Sequence, residues 1–251
     1  MSEIAAPVFT NDVAAQIDME RAARLVGYAN ARRYRARARS LFRDVPLKGV
    51  SVLDVGCGTG AWAIWAALQG ARKAVGVEPE AAGSTTGTLN LFRRNIRLLG
   101  LEDRLDAYGC TLQDFPVKTR FDIIVLYAVI NHLDEEAVAT LDRDPAMERR
   151  YVKVVGSLRD KTTTGGTVIV FDGARSNFWD QLGLRCPFDW TRTIEWHKHQ
   201  NPSVWIRVFE KAAFRASACR GAPIYPLGTV TTHSWAQYLT RSQFVITFKA
   251  I

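Results

Sequence analysis

The sequence lacks any long uninterrupted apolar run. No stretch of its 251 residues approaches the about 18 consecutive apolar residues that a membrane-spanning helix requires. Residues 1–7 also lack the basic stretch followed by an apolar run that marks a secretory signal. With 47% hydrophobic and 23% charged residues, the chain has the composition of an ordinary globular protein. We therefore expect a cytoplasmic protein with no membrane partner.

Cysteine is also scarce. The four cysteines are scattered along the chain, at Cys57, Cys110, Cys186 and Cys219. Their spacing matches neither a metal site nor a compact disulfide framework. A reducing compartment is the simplest environment for such a chain, and the sequence predicts no bound metal.

Acidic residues are depleted at both ends, and the formal net charge is +8. Residues 1–50 carry nine Lys/Arg and five Asp/Glu, and residues 174–251 carry ten and four. Residues 51–173 carry fourteen Lys/Arg and sixteen Asp/Glu, so the centre is slightly acidic. The basic ends are either solvated surface or a region that attracts an anionic small molecule or nucleic acid.

Short apolar runs alternate with amphipathic segments along the chain. The pattern predicts strands over Val50–Val55, Ala74–Val77, Leu105–Tyr108, Phe121–Tyr127, Thr167–Phe171 and Phe244–Phe248. It predicts helices over 12–26, 30–44, 60–69, 84–98, 134–158 with an interruption near Pro145, and 202–214. Strands that alternate with helices indicate a doubly wound α/β fold with a mainly parallel sheet covered on both faces.

The length of the chain fits one decorated domain over residues 1–251. We divide it into an N-terminal helical cap (1–46), a cofactor-binding core (47–172) and a substrate-site insertion with closing strands (173–251). Its tryptophans concentrate after residue 173 and form either a substrate wall or a small satellite core. The oligomeric state is left open.

A glycine-rich loop follows the first strand and opens a helix, in the order Val-Leu-Asp-Val-Gly-Cys-Gly-Thr-Gly over 52–60. Glycines in this place allow a tight turn and let a ligand approach the backbone. The discriminating residue is Asp54, because its carboxylate would repel a pyrophosphate at the helix N-terminus. A ligand with positive charges and no phosphate, such as S-adenosyl-L-methionine, suits that acid.

A second acid, Glu78, ends the next predicted strand, 24 residues after Asp54. A carboxylate at this place accepts hydrogen bonds from both hydroxyls of a ribose. Nucleotide cofactors of several kinds need such an acid, so Glu78 supports the fold more than the choice of ligand.

These motifs resemble those of the class I S-adenosylmethionine-dependent methyltransferases over roughly residues 50–173 and the last strand. The resemblance implies a seven-stranded sheet with one antiparallel strand near the C-terminus, N-terminal helices and a cofactor over strand ends one, two and four. It implies that the loop residues Gly56, Cys57, Gly58 and Gly60 line the cofactor, and that Glu78, followed by Pro79, holds the ribose. Two other interpretations of the glycine loop are a tight turn that binds no ligand and the cofactor loop of an NAD-type oxidoreductase.

The resemblance also implies where the rest of the cofactor lies. The segment 108–116 resembles the adenine-contacting loop, with Leu112, Gln113 or Asp114 as the contact. Tyr127 and Ala128, just past the fourth strand, would lie near the methionine portion. From the N-terminal helices, Tyr34 would cover the cofactor together with Tyr28, and one of Arg32, Arg33 and Arg35 is a candidate for its carboxylate.

The residues after the fourth strand bear on the acceptor. The Asn/Asp-Pro-Pro-aromatic motif of enzymes that methylate nucleobase amines is absent here, as is the Pro-Cys of cytosine-C5 enzymes. In this respect the chain is similar to the small-molecule branch, in which a histidine often follows this strand. His132 is therefore a candidate general base or substrate contact, or else a packed histidine at the start of the next helix.

A second polar cluster contains Glu195, His197 and His199. On a strand the two histidines would share a face, and Glu195 would orient one of them as a base. A polar loop with exposed histidines is the alternative, and zinc lacks a third ligand at a convincing spacing. Asp172 and Asn177 follow the fifth strand, in the region where cation-dependent relatives hold their metal, but the spacing does not match.

The sequence thus predicts an enzyme that transfers a methyl group from S-adenosyl-L-methionine to an oxygen or nitrogen of a small molecule. The basic, aromatic flanks suggest a planar or anionic acceptor from biosynthesis. An RNA methyltransferase and a non-catalytic cofactor-binding protein are the alternatives, and the first is disfavoured because no RNA-binding module is recognisable.

Overall fold

The structure is a computed structural model that describes residues 19–80, 86–116, 118–184, 187, 195–223 and 233–251. Seven strands form one sheet in the order β3-β2-β1-β4-β5-β7-β6. In chain order they are β1 (Ser51–Val55), β2 (Lys73–Val77), β3 (Leu105–Tyr108), β4 (Phe121–Tyr127), β5 (Thr162–Gly173), β6 (Phe214–Gly221) and β7 (Gln243–Ala250).

The sheet is parallel from β3 to β5, and only β7 runs antiparallel to its neighbours. The last strand inserts between β5 and β6, with Phe171 opposite Val245 and Val245 opposite Arg220. The predicted doubly wound α/β class, with seven strands and one antiparallel strand near the C-terminus, is confirmed. Since the chain reverses its sheet order after β3, the carboxyl ends of β1 and β4 border the crevice in which doubly wound folds bind ligands.

The helices cover both faces of the sheet. They are α1 (Ala31–Leu41), α2 (Ala61–Leu68), α3 (Thr88–Leu99), α4 (Glu135–Thr140), α5 (Pro145–Asp160), α6 (Phe178–Gln181), α7 (Pro202–Lys211) and α8 (Ser234–Tyr238). Residues 19–25 are also helical and belong to the helix predicted over 12–26, of which 12–18 lie outside the described residues. No helix in the described ranges is long and apolar enough to cross a membrane.

Capping residues fix several helix ends. The side chain of Asn30 accepts a hydrogen bond from the Arg33 N–H and begins α1. The predicted interruption near Pro145 is confirmed, because Asp144 caps α5 and Pro145 takes its first turn. Gly87, with a φ of 84°, precedes α3, so that helix begins at Thr88 rather than at residue 84.

The predicted helix over 202–214 was too long, and the strand that follows it was missed. The helix ends at Lys211, and Ala213 adopts a left-handed φ of 60° at the turn into β6. Alanine and lysine favour helix and give no stop signal. In the edge strand β6 only Phe214 is buried and the other inward positions carry small alanines, so its alternation of apolar and polar residues is a weak strand signal.

Two apolar cores lie on opposite faces of the sheet. One packs α1, α2 and α3 against the sheet, with Tyr34, Trp62 and Phe92 as its large members. The other packs α5 and α7, with Trp205 5.2 Å from Tyr151 between ring centroids. The two layers hold the sheet so that its carboxyl edge stays open for a ligand.

Candidate active site

The glycine loop crosses the carboxyl end of β1. Backbone N–H groups of Gly56 and Cys57 donate to the carbonyl of Val77, at 2.8 and 3.1 Å, so the loop is bonded to the end of β2. Gly56 has a φ of 64°, and a Cβ there would overlap the side chain of Val129. The loop therefore touches the segment that follows β4, and the predicted cofactor loop adjoins two strand ends.

The other two loop glycines have different surroundings. A Cβ on Gly58, whose φ is 51°, would meet no atom within 4 Å, so that side of the loop is open. At Gly60, with a φ of 85°, a Cβ would overlap the Phe92 ring. Cys57 is buried, and burial raises the pKa of its thiol well above the ordinary value. The open side at Gly58 is where a ligand can approach the backbone.

Asp54 lies fully buried beneath this loop. Its Oδ2 accepts a hydrogen bond from the Ala63 N–H at 3.0 Å, near the start of α2. Its Oδ1 has no hydrogen-bond partner among the described residues. Burial raises the pKa of this carboxyl from 3.8 to about 7, against the hydrogen bonds that lower it. With no exposed surface, the Asp54 side chain makes no direct contact with the crevice above the loop.

Glu78 ends β2 and is buried. Its Oε2 accepts the Gly58 N–H at 2.9 Å, and its Oε1 has a long contact of 3.4 Å with the Glu80 N–H. Oε1 therefore remains available to ribose hydroxyls. Pro79 is exposed next to it.

The residues predicted for the adenine lie in a turn after β3. Leu112 is buried in the core of the α5 face, while Gln113 and Asp114 are exposed. Thr111 holds this turn, since its hydroxyl lies 2.7 Å from Asp114 Oδ2 and accepts the Asp114 N–H at 3.1 Å. The Asp114 carboxylate is therefore engaged within the turn, and a contact of the adenine with Leu112 or Gln113 stays a prediction.

Three stacked or tilted aromatic rings, from Tyr127, Phe171 and Trp62, form an aromatic wall beside the end of β4. The rings of Tyr127 and Phe171 stack with 4.2 Å between centroids, and Trp62 lies 4.7 Å from Tyr127. Tyr34 is fully buried against Trp62, and its hydroxyl donates to the carbonyl of Ala61. Tyr34 therefore supports the wall from behind, while Tyr28, half-buried 5.0 Å from Tyr34, is nearer to the surface.

Taken together, these groups fit S-adenosyl-L-methionine. The open face at Gly58 admits a ligand to the backbone, and Glu78 offers a free acceptor oxygen to hydroxyls. Asp54 lies beneath the loop with an unpartnered Oδ1, and in its ionised form it would favour a positively charged ligand over a phosphate.

A cavity of about 220 Å³ adjoins this crevice at the ends of β4 and β5. Ala128, exposed with a left-handed φ of 53°, borders it. The other lining residues are Asn131, His132, Phe171, Asp172, Gly173, Glu195, Trp196, His199, Arg241 and Gln243. Since Ala128 and Phe171 belong to both regions, the cavity opens beside the predicted methionine portion of the cofactor.

Within this cavity His199 pairs with Asp172. The distance from His199 Nδ1 to Asp172 Oδ1 is 3.1 Å, and the side chains are 14% and 1% exposed. Trp196 packs 5.7 Å from the imidazole. A carboxylate that holds one ring nitrogen leaves the other, Nε2, for a substrate, which is the geometry of a general base and its orienting group.

The predicted pairing of Glu195 with a histidine is wrong. Residues 196–198 form a 3₁₀ turn rather than a strand, so His197 is exposed while His199 faces the cavity. Glu195 instead binds Lys198, whose ammonium lies 2.8 Å from its Oε2. That bond lowers the pKa of Glu195.

His132 lies at the rim of the same cavity and is exposed. Its Nδ1 is 2.8 Å from Glu135 Oε1, and the second oxygen of Glu135 accepts from Lys198 at 2.8 Å. His132 is thus tied to a surface ion-pair chain, which leaves His199 as the better placed base.

Arg175 fixes the turn that carries His199. Its guanidinium donates to the carbonyls of His199, His197 and Ala139 at 2.8, 2.7 and 2.9 Å. The same group lies 3.1 Å from Asp142 Oδ1. One side chain therefore links β5's end to the turn at 197–199 and to α4.

Several of these residues carried no sequence signal. Arg175 and Gln243 stand in no motif, and Asn131 drew attention only through its neighbour His132. Asp172 followed a predicted strand, which indicated its place at the sheet edge but not its partner.

Asn177 caps α6 through its carbonyl oxygen, and its amide donates to Thr240 and Ser242, so it is fully engaged in structure. No group of three or more His, Cys, Asp or Glu in the described ranges is arranged to hold a metal.

Comparisons with known proteins show the family of the chain. A family profile described as a methyltransferase domain matches residues 24–216. The chain belongs to this family and is an S-adenosylmethionine-dependent class I methyltransferase. The predictions of enzyme class and of cofactor are confirmed.

Relatives and similar folds span most of the chain. A ubiquinone biosynthesis O-methyltransferase of Nitrobacter winogradskyi is 25% identical over 80% of this chain and 69% of its own length. A putative S-adenosylmethionine-dependent methyltransferase of Listeria monocytogenes has a TM-score of 0.56 at 14% identity, covering 85% and 99% of the two chains. The magnesium protoporphyrin IX methyltransferase of Synechocystis PCC 6803, solved with S-adenosylhomocysteine, has a TM-score of 0.57 at 11% identity, covering 100% and 90%.

Proposed function

We propose that this enzyme methylates a hydroxyl oxygen of a small molecule, with His199 as the general base and Asp172 as its orienting partner. The observation that carries the proposal is the 3.1 Å pair of His199 Nδ1 and Asp172 Oδ1 in a cavity beside the cofactor crevice. A hydroxyl needs such a base, whereas an amine needs only to arrive neutral. The Nitrobacter relative is named as an O-methyltransferase, which supports the same choice.

Methyl transfer to a hydroxyl requires only two further things of the protein, the positioning of the acceptor and the removal of its proton. When bound, S-adenosyl-L-methionine supplies a methyl group on a sulfonium, which leaves as a neutral thioether. The residues of the chain have to hold the acceptor oxygen in line with that methyl at contact distance. As the oxygen forms its new bond to carbon, His199 Nε2 takes the hydroxyl proton, and Asp172 stabilises the resulting imidazolium.

The size of the cavity favours a small acceptor. An engineered protein cavity of about 150 Å³ holds one benzene molecule, so 220 Å³ admits one ring with a few substituents. Trp196 and Phe171 supply aromatic walls for such a ring. These features support a planar acceptor, one of the expectations from the sequence.

The experiment is an acceptor screen that contains phenols, aliphatic alcohols, carboxylic acids and amines of one ring or less. Formation of S-adenosylhomocysteine is measured for the wild type, for His199→Gln and for the matched control His197→Gln. We expect turnover of hydroxyl acceptors and a loss of kcat of about 10²- to 10⁴-fold in His199→Gln alone, because that is the usual contribution of a general base.

Turnover of amines only, or equal losses in both histidine variants, would contradict the proposal. The affinity of each variant for S-adenosylhomocysteine is measured in parallel by calorimetry. It should not change, since neither histidine lies at the glycine loop.

A further inference from the structure

A second cavity, of about 510 Å³, lies at the same edge of the sheet as the first cavity, the one that contains His199. It is formed where β5 and β6 end and β7 begins, with Ala174, Gly221 and Phe244 in its lining. Its volume is about three times that of an engineered cavity of about 150 Å³ that holds one benzene molecule. The proposed function leaves this space unused.

The second cavity adjoins the first. The half-buried side chain of Gln243 belongs to the lining of both. At the end of β5, Gly173 lines the first cavity and the next residue, Ala174, lines the second. Consecutive residues lie about 3.8 Å apart between their Cα atoms, so one molecule of modest length can extend from His199 into the second cavity.

The short polar side chains in the lining of the second cavity bond to one another. Asn201 Oδ1 accepts the Ser176 N–H at 3.0 Å, and Asn201 Nδ2 donates to Ser176 Oγ at 2.9 Å. The hydroxyl of Ser242 donates to the Ser176 carbonyl at 2.9 Å and accepts from Asn177 Nδ2 at 3.0 Å. These groups are therefore occupied before any ligand arrives.

The longer polar side chains of this lining are engaged as well. Gln237 Nε2 donates to the carbonyl of Ala222 at 2.6 Å. Arg220 Nη2 donates at 3.0 Å to the carbonyl of Ser40, near the end of α1, so its charged end is bonded to that helix and its aliphatic stem can line the cavity. His233 is exposed to solvent. A polar ligand would compete with these bonds, whereas a hydrocarbon group is stabilised by burial alone.

The surface beside the second cavity is also apolar. Of the seven exposed large hydrophobic side chains among the described residues, five belong to α6, α8 and the residues just after them, namely Leu182, Leu184, Trp235, Tyr238 and Leu239. The two helices are joined, because Trp179 Nε1 donates to the Leu239 carbonyl at 2.9 Å and the Phe178 ring lies 5.9 Å from that of Tyr238. Since Tyr238 also lines the cavity, apolar surface continues from the cavity to the exterior, as at a site that binds an apolar molecule.

We propose that the methyl acceptor carries a hydrocarbon substituent, a chain or a second ring, which lies in the second cavity while the reacting hydroxyl faces His199. The inference rests on the proposed function, since it names the acceptor class of the same site. The substituent is held by burial of its apolar surface rather than by hydrogen bonds. Binding of the acceptor should therefore strengthen with the length of the substituent until the cavity is full.

The test measures binding separately from turnover. Phenol is compared with phenols that carry an ethyl, butyl or hexyl chain in the ortho, meta or para position, each titrated by calorimetry into enzyme saturated with S-adenosylhomocysteine. The variants are Cys219→Trp, which fills the second cavity from the exposed strand β6, and Cys219→Glu, which places a charge in it. Ser217→Trp, at an exposed position on the same strand, is the matched control.

We expect the wild type and the control to bind about 2- to 4-fold more tightly for each added methylene at the favoured ring position, since a fully buried methylene is worth about fourfold in affinity. In both Cys219 variants the alkylated phenols should bind no more tightly than phenol. The affinity for phenol and for S-adenosylhomocysteine, and the melting temperature, should stay near those of the control.

No binding of any probe, no gain with chain length at any ring position, or a gain that persists in both Cys219 variants overturns the inference. It also fails if phenol and butylbenzene bind together, each with its own affinity, and no butylphenol binds more tightly than either, because the cavity then takes a separate molecule. If the gain is found but no methyl group is transferred from S-adenosylmethionine to any hydroxyl, the proposed function fails and the apolar site stands.

Discussion

Glu78 and Gly58 are joined by a hydrogen bond of 2.9 Å, from the glycine N–H to Oε2 of the carboxylate. The bond connects the acid at the end of β2 with the open turn of the glycine loop. One oxygen of Glu78 thus holds the loop, while the other has only a 3.4 Å contact with the Glu80 N–H. The geometry of the loop therefore depends on a side chain that we predict to bind the ribose as well.

Replacement of Glu78 by alanine should weaken binding of S-adenosylhomocysteine by about 10- to 100-fold or more, because hydrogen bonds to a charged group are worth about 1.5–3 kcal/mol. Isothermal calorimetry measures the loss. The control is Glu102→Ala, at an exposed position before β3. Unchanged affinity in Glu78→Ala would show that the ribose is held elsewhere.

Gly58→Ala and Gly60→Ala should fail in different ways. An alanine at 60 strains a left-handed backbone and overlaps the Phe92 ring, so it should lower the free energy of unfolding by about 2–5 kcal/mol. An alanine at 58 meets no protein atom and should cost only the about 1–2 kcal/mol of backbone strain, yet obstruct the cofactor. Chemical denaturation and calorimetry with S-adenosylhomocysteine separate the two effects, and tight cofactor binding by Gly58→Ala would argue against a ligand at the open side of the loop.

The buried Asp54 should make the stability of the free enzyme depend on pH. Its pKa is about 7 in the folded protein against 3.8 ordinarily, so between these values the folded state holds a proton that the unfolded state has lost. The contribution of this group to stability is therefore full below about pH 4 and declines as the pH rises toward 7, by at most about 1.4 kcal/mol per pH unit. Asp54→Asn lacks this decline, so its stability relative to the wild type should increase from pH 4 to pH 7 in urea denaturation. A difference that stays constant over this range would mean that Asp54 is ionised in the fold.

Arg175 should act as a positioning residue for His199. Arg175→Lys keeps the positive charge but loses the planar fork that reaches three carbonyls. We expect a lower kcat with an unchanged affinity for S-adenosylhomocysteine. The control is Arg207→Lys. The guanidinium of Arg207, on the surface of α7, binds Glu148 of α5. A structural role alone would lower the melting temperature and leave kcat per folded molecule unchanged.

The sequence predicted those parts of the molecule in which neighbouring residues carry the information. The glycine loop, Asp54 and Glu78 lie within local motifs, and five buried strands read as continuous apolar runs. The edge strand β6 was missed because only Phe214 in it is buried and because the preceding helix gave no stop signal. Local periodicity therefore defined the core better than the edge.

The cavity at the ends of β4 and β5 depended on contacts that no local pattern encodes. His199 and Asp172 are 27 residues apart, and Gln243 comes from the last strand. The sequence predicted that Glu195 orients His197 or His199 as a base. A local pattern can predict contacts only between residues that are close together in the chain. A 3₁₀ turn directed the imidazole toward β5 instead.

The insertion of β7 between β5 and β6 has a consequence for biosynthesis. While the ribosome is making residues up to about 240, β6 has no neighbour and β5 has one exposed edge, so the sheet carries two unsatisfied rows of backbone groups. Both are satisfied at once when residues 243–250 emerge. Gln243, which lines the cavity at the ends of β4 and β5, belongs to the same strand, so the pairing of β7 completes the sheet and the lining of that cavity together.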